Sequence, residues 1–169
     1  MMRGGNQKAF AELYMRYRRA LHAFALRLTG NPQEAEDAVH ETFVKFARAS
    51  INEPAALKSW LYRVARNECL MALRGRRAAG DADGVWADET PLSLAEKADT
   101  RVLVQGALKR LKLEYREVIL LREFEGMSYG EIVEVTGTST ASVKSRLLRA
   151  RRALAGLLQD VRNEERNVR

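Results

Sequence analysis

The chain has 169 residues, room for one or two small domains with modest cores, and its 46% hydrophobic and 30% charged content is that of an ordinary globular protein. No apolar run approaches the about 18 residues of a membrane span and the N-terminus carries no signal-peptide pattern, so the cytoplasm is the expected location. A formal net charge of +7 and a pI near 9.8 favour a polyanionic partner, while a single cysteine, Cys69, excludes an intramolecular disulfide and a cysteine-cluster metal site.

Phe10, Leu13, Tyr14, Tyr17, Leu21, Phe24 and Leu28 recur at steps of three and four and predict one long helix, ended by Gly30. Asn31-Pro32-Gln33-Glu34 then reads as an N-cap, a proline at the first helical position and a capping-box glutamate. Ala35, Ala38, Val39, Phe43 and Phe46 form the buried stripe of that second helix. After a break at Ile51–Pro54, Leu57, Leu61, Val64, Ala65 and Ala72 carry a third helix, which runs into the basic stretch Arg74-Gly75-Arg76-Arg77.

Charge divides the chain in three. Residues 1–78 hold fourteen Lys/Arg against seven Asp/Glu, residues 79–98 one against five, and residues 99–169 fourteen against ten. The acidic middle piece is rich in Gly, Asp and Ala with little periodicity and reads as a flexible linker between two basic domains. Beyond it, Val102, Leu108 and Leu111 predict one helix, and Tyr115, Val118, Ile119 and Leu121 a second, stopped by Gly126. Ser128-Tyr129-Gly130-Glu131 is a capping box opening a short helix through Val135. Gly137 closes it, Ser139 or Thr140 caps the next, and Val143, Leu147, Ala150, Leu154 and Leu157 are its buried stripe. Helix, tight turn, helix is the spacing of a helix-turn-helix. The fold class is all-α, and nothing alternates at period two over a useful length.

Three surfaces stand out. After Glu134 no acid appears until Asp160, while Lys144, Arg146, Arg149, Arg151 and Arg152 crowd in. With Val143, Leu147 and Ala150 inward, Ser142, Lys144, Ser145, Leu148 and Arg149 face outward, a mixture able to bond base edges, touch a thymine methyl and approach phosphates without repulsion. A solvated basic face on a plain helical hairpin is the alternative. The third helix offers Lys58, Trp60, Tyr62, Arg63, Arg66 and Asn67, cations interleaved with aromatics as in single-strand binders, although Trp60 also suits a core. On the second helix Glu36, Asp37, His40 and Glu41 make an acidic patch, either solvated surface or a face for a protein partner. Catalysis has little support: His22 and His40 lack companions at metal-ligand spacing, and no phosphate-cradling glycine loop or activated nucleophile is present. Neither a cofactor nor a metal is expected.

The stretches "EAEDAVHETFVKFAR", "KSWLYRVARNECLMALRGRR" and "YREVILLREFEGMSYGEIVEVTGTSTASVKSRLLRARRAL", in this order around an acidic linker, resemble the extracytoplasmic-function (ECF) branch of bacterial sigma factors. The resemblance implies a non-catalytic promoter-specificity subunit of RNA polymerase. Residues 1–78 would bind the clamp helices of the largest polymerase subunit through Asp37, His40 and Glu41. They would also read and help melt the −10 element as single-stranded DNA through Lys58, Trp60, Arg63, Arg66 and Asn67. Residues 79–98 would thread the later path of the nascent RNA. Residues 99–169 would meet the polymerase flap and read the duplex −35 element through Ser142, Lys144, Ser145, Leu148 and Arg149, with Arg146 nearer phosphate. An anti-sigma protein is the implied regulator, and no membrane insertion is expected.

The sequence departs from the family at three places. His40 stands where members usually have Gln, the loop Ala49–Leu57 is a couple of residues short, and Leu-Lys-Leu-Glu at 111–114 lacks the usual proline. The competing readings are a free-standing helix-turn-helix repressor, which would need a dimerisation helix not evident here, and a helical adaptor, which would not need to shed its acids from 135 to 159.

Overall fold

The computed structural model of the protein describes residues 4–49, 54–80 and 95–168, all of it helix and connecting turn with no strand. The chain divides into two compact units, Met1–Gly84 and Val85–Arg169.

The first unit packs α1 (Gly4–Thr29), α2 (Pro32–Arg48) and α3 (Leu57–Ala78) against one another. The α1–α2 turn follows the local chemistry. Gly30 takes a φ of 69°, which costs an L side chain and not glycine. The Asn31 side chain then accepts from the Glu34 backbone N–H at 3.1 Å, ahead of Pro32. The expected reciprocal bond from Glu34 is replaced. Thr29 Oγ1 lies 3.3 Å from the Asn31 N–H and accepts from it, leaving the Glu34 carboxylate to meet Arg76 Nε at 2.9 Å. Leu21, Phe24, Leu28, Ala35, Phe43, Leu61, Ala65 and Cys69 are buried at the centre. A 3₁₀ turn (Pro54–Ala56) leads into α3; of the short loop expected between α2 and α3, residues 50–53 lie outside the described residues.

The second unit holds α4 (Ala95–Arg110), α5 (Leu113–Ile119), α6 (Tyr129–Thr136) and α7 (Thr140–Val168), with α4, α5 and α6 each packed on α7. Most of the expected linker, residues 81–94, lies outside the described residues; its last four residues, from Ala95, belong to α4. Val102, expected in the α4 core, is instead 52% exposed. Arg116 is buried and acts as a cap: its guanidinium donates to the carbonyls of Leu108, Lys109 and Leu111, at 2.9, 3.2 and 3.0 Å. It supplies donors to carbonyls at and just past the C-terminal end of α4.

Past Ile119 the chain widens into a π-helical segment, Leu120–Phe124, and turns away at Gly126, φ 64°. Nothing in the residue pattern announced this segment. The helix-turn-helix itself forms as expected. Ser128 and Glu131 exchange both capping-box bonds, Gly137 closes α6 at φ 69°, and Ser139 caps α7 by accepting from the Ser142 N–H at 3.1 Å. Val143, Leu147 and Ala150 are buried, whereas Leu154 and Leu157 are half-buried, and Val161 takes the buried place further along α7.

Candidate protein-binding and nucleic-acid interfaces

On α2 the burial of Ala35, Ala38, Val39, Thr42 and Phe43 turns Asp37 and His40 to solvent, with Glu41 half-buried beside them. Positions three and four apart share a helix face, so the three predicted side chains come together. They line an open groove of about 470 Å³ whose other wall is Glu68, Met71 and Ala72 of α3, with Glu34 at one end. Sequence reading had missed this α3 wall. Its own 3–4 spacing was visible, but not which row it would face. Glu34 is matched by Arg76 and Glu68 by Lys45, while Asp37 receives only the Gln33 amide, at 2.9 Å. Asp37 and Glu41 have no cation as partner among the described residues. With Met71 at 53% exposure, the groove offers two uncompensated carboxylates beside an apolar contact. A basic helical surface carrying one or two apolar side chains would complement it.

On α3, Trp60, Arg63 and Asn67 fall on one side, three and seven positions apart. Arg63 and Asn67 are exposed and Trp60 is half-buried. The Trp60 ring lies 6.0 Å from Phe46, which stacks on Phe10 at 5.8 Å, so the indole is held on the rim of an aromatic row. Lys58 is not part of this face. It lies some 200° round the helix from Trp60 and opens the row that continues through Leu61, Tyr62 and Ala65; it is half-buried, as is Arg66. Tyr62, a candidate for base stacking by sequence, is a core residue, 1% exposed and edge-on to Phe24 at 5.3 Å. Its spacing of three and seven from Ala65 and Cys69 puts it on the buried side of α3. Cys69 is buried, and desolvation, aided by Glu34 and Glu68, pushes its thiol up to about 12.

On α7, Lys144, Ser145, Leu148 and Arg149 are exposed and Ser142 and Arg146 half-buried. Two of the cations in the acid-free stretch, Arg146 and Arg151, have carboxylate partners in this structure. Arg146 Nη1 lies 3.9 Å from Glu117 Oε1, a carboxylate only 3% exposed on α5. Arg151 Nε and Nη2 both reach Glu123 Oε1 of the π-helical segment, at 2.9 and 2.7 Å. Lys144 Nζ sits 5.8 Å from the centre of the Tyr129 ring, over which Arg122 is held at 4.8 Å. Ser145, Arg149 and Arg152, at steps of four and three, form the exposed row turned away from these contacts. A hydroxyl and two guanidinium groups on a helix whose opposite side is anchored by Val143, Leu147 and Ala150 are suited to groove edges and phosphates.

No described helix is long and apolar enough to cross a membrane. Family models described as Sigma-70 region 2 and Sigma-70, region 4 match residues 13–79 and 101–154. The ECF RNA polymerase sigma factor SigM of Mycobacterium tuberculosis is 33% identical over 157 residues, 91% of this chain and 79% of that protein. The RNA polymerase sigma-H factor of Pseudomonas aeruginosa is 31% identical, covering 95% and 91% of the two chains. Among solved structures, the sigma factor RpoE in complex with the anti-sigma factor NepR from Bartonella quintana aligns with a TM-score of 0.68 at 31% identity, over 90% of this chain and 98% of that one. CnrH, in complex with the cytosolic domain of CnrY, aligns with a TM-score of 0.66 at 30% identity, over 92% and 91%.

Proposed function

The chain belongs to the ECF branch of the sigma-70 family, and from that premise we propose how its residues divide the work of a sigma factor. A sigma factor binds core RNA polymerase, recognises the promoter and directs transcription initiation, with no catalysis of its own. Residues 1–78 carry polymerase binding and the −10 element, residues 79–94 are the connecting linker, and the second unit, from α4 onward, carries the −35 element. Asp37, His40 and Glu41, with Met71 of α3, receive the clamp helices of the largest subunit in the α2–α3 groove. Trp60, Arg63 and Asn67 hold the single-stranded −10 region, with Arg66 to its side and Lys58 on the far side of α3, and the second unit also meets the flap. An anti-sigma protein of the kind bound to RpoE would silence the factor by covering the groove, and the protein works in the cytoplasm.

The observation that carries the reading is the seating of α7: its apolar side is buried while Ser145, Leu148 and Arg149 near its N-terminus stand free. In a helix-turn-helix that end of the second helix reaches base edges. The test is holoenzyme binding to promoters carrying every single-base change in the upstream element, at two salt concentrations. Arg149→Ala is expected to lose about 1–3 kcal/mol on the cognate element and to relax one base pair. Arg152→Ala is expected to weaken all sequences alike and lower the salt slope by about one. Unchanged base preferences in the alanine variants of Lys144, Ser145 and Arg149 together would remove α7 as the reader.

A further inference from the structure

The helix α7 contains no acid between Thr140 and Gln159, yet folding brings a carboxylate to it. Glu123, on the π-helical segment, places one oxygen against two donors of Arg151. Around this pair stand two more cations and a phenol. Arg122 is fixed by a 2.7 Å bond to the Met127 carbonyl and lies over the Tyr129 ring, Lys144 approaches the same ring, and Glu123 first and Tyr129 second raise Arg151 above its ordinary range. Lys144 and Arg151 are seven positions apart, two turns along one side of α7. Three cations from two elements therefore share a patch with Glu123, and both members of the Arg151–Glu123 pair are about half exposed, at 49% and 46%.

We propose that Arg122, Lys144 and Arg151, gathered round Tyr129, form a seat for a DNA backbone phosphate at the edge of the upstream promoter element, and that Glu123 occupies it in the free protein. The proposal rests on the −35 reading of α7 and adds to it a contact that base-edge recognition does not require. A carboxylate and a phosphodiester accept the same guanidinium fork, so one anion can replace the other without moving Arg151 far. A surface ion pair is weak enough to be exchanged, and the three cations outnumber Glu123. Until the exchange occurs, Glu123 removes one cation from the counterion-releasing set that drives sequence-independent binding. Glu123 thereby acts against non-specific adhesion, and the π-helical widening is the backbone feature that brings it to α7.

The experiment uses holoenzyme reconstituted from core polymerase and the full chain, with promoter duplex and a scrambled duplex, across a salt series. Glu123→Gln keeps the shape and removes the charge. It is expected to tighten both duplexes several-fold, the scrambled one at least as much, and to steepen the dependence of log K on log[salt] by about one. Arg151→Ala is expected to weaken both duplexes modestly in the wild-type background, and to cost more in the Glu123→Gln background, where it also abolishes the gain. An unchanged slope in Glu123→Gln, weaker binding, or an equal loss from Arg151→Ala in both backgrounds would overturn the proposal. Thermal melting of each variant shows that it is folded, and Glu123→Ala repeats the test without an amide. Arg149→Ala, run in parallel, separates the two ideas: if it relaxes base preference while Glu123→Gln leaves the slope alone, α7 is still the reader and only the guarded seat is lost.

Discussion

Arg146 of α7 points its guanidinium back at Glu117 of α5, Nη1 to Oε1 3.9 Å, and the carboxylate it meets is almost wholly buried. The recognition helix is thus tied electrostatically to the core of its own unit on one side while Ser145 and Arg149 stand free on the other.

Arg146→Ala is therefore expected to act on stability. Removing one partner of a buried charged pair leaves the other with fewer contacts, a cost of about 1–3 kcal/mol, and Glu117 loses a cation while its remaining interactions persist. Denaturant unfolding of the full chain should show the loss, with the salt slope of promoter binding nearly unchanged. A slope reduced by a full unit with wild-type stability would mean that Arg146 contacts phosphate instead.

Asp37→Arg combined with Glu41→Arg is expected to abolish association with core polymerase. Asp37 is exposed and Glu41 half-buried, and neither is paired to a cation among the described residues, so the stability change should be small, within about ±0.5 kcal/mol for surface substitutions. The reversal sets like charges against a basic partner. Co-elution of the folded double variant with core enzyme at the wild-type level would refute the groove as the docking site.

Trp60→Ala with Asn67→Ala is expected to impair promoter opening more than duplex binding. Stacking on an aromatic contributes about 1–3 kcal/mol per base in single-strand binders, and Phe46 holds the indole at the rim. Permanganate footprinting of holoenzyme on a cognate promoter reads the opened bases directly. Tyr62→Phe serves as a control, because that ring is buried and should leave opening intact.

The thiol of Cys69 is expected to resist thiol reagents until the first unit unfolds, since it is fully buried with its titration pushed up to about 12 from 9.0. The sign of the pH effect follows. Between about pH 9 and pH 12 the unfolded chain has released the thiol proton and the folded chain still holds it, so the unfolded state binds fewer protons and stability falls as pH rises through that window. Cys69→Ala should flatten this part of the profile. Rapid modification of the native protein near neutral pH would contradict the burial.

Local chemistry alone determined most of the helical framework. The Asn31-Pro32 start, the Ser128–Glu131 capping box and the positive-φ glycines at 30, 126 and 137 act over four residues or fewer, and so they read straight from the chain. The stripes through Leu21, Phe24, Leu28 and Val143, Leu147, Ala150 likewise announced which faces would be buried. The same short-range rules made the acidic patch and the acid-free stretch legible as surfaces with opposite partners. What only tertiary packing decided was the environment of each charge. Glu68 and Met71 join Asp37 and His40 because α3 lies against α2. Arg146 and Arg151 acquire carboxylates 29 and 28 positions earlier because α5 and the π-helical segment pack on α7. Tyr62 goes inside while Trp60 stays at the rim, two positions away on the same helix. A residue pattern specifies which side of a helix is apolar. Which charges meet across helices depends on the rotation and depth at which the helices pack, and that is set by the whole core at once.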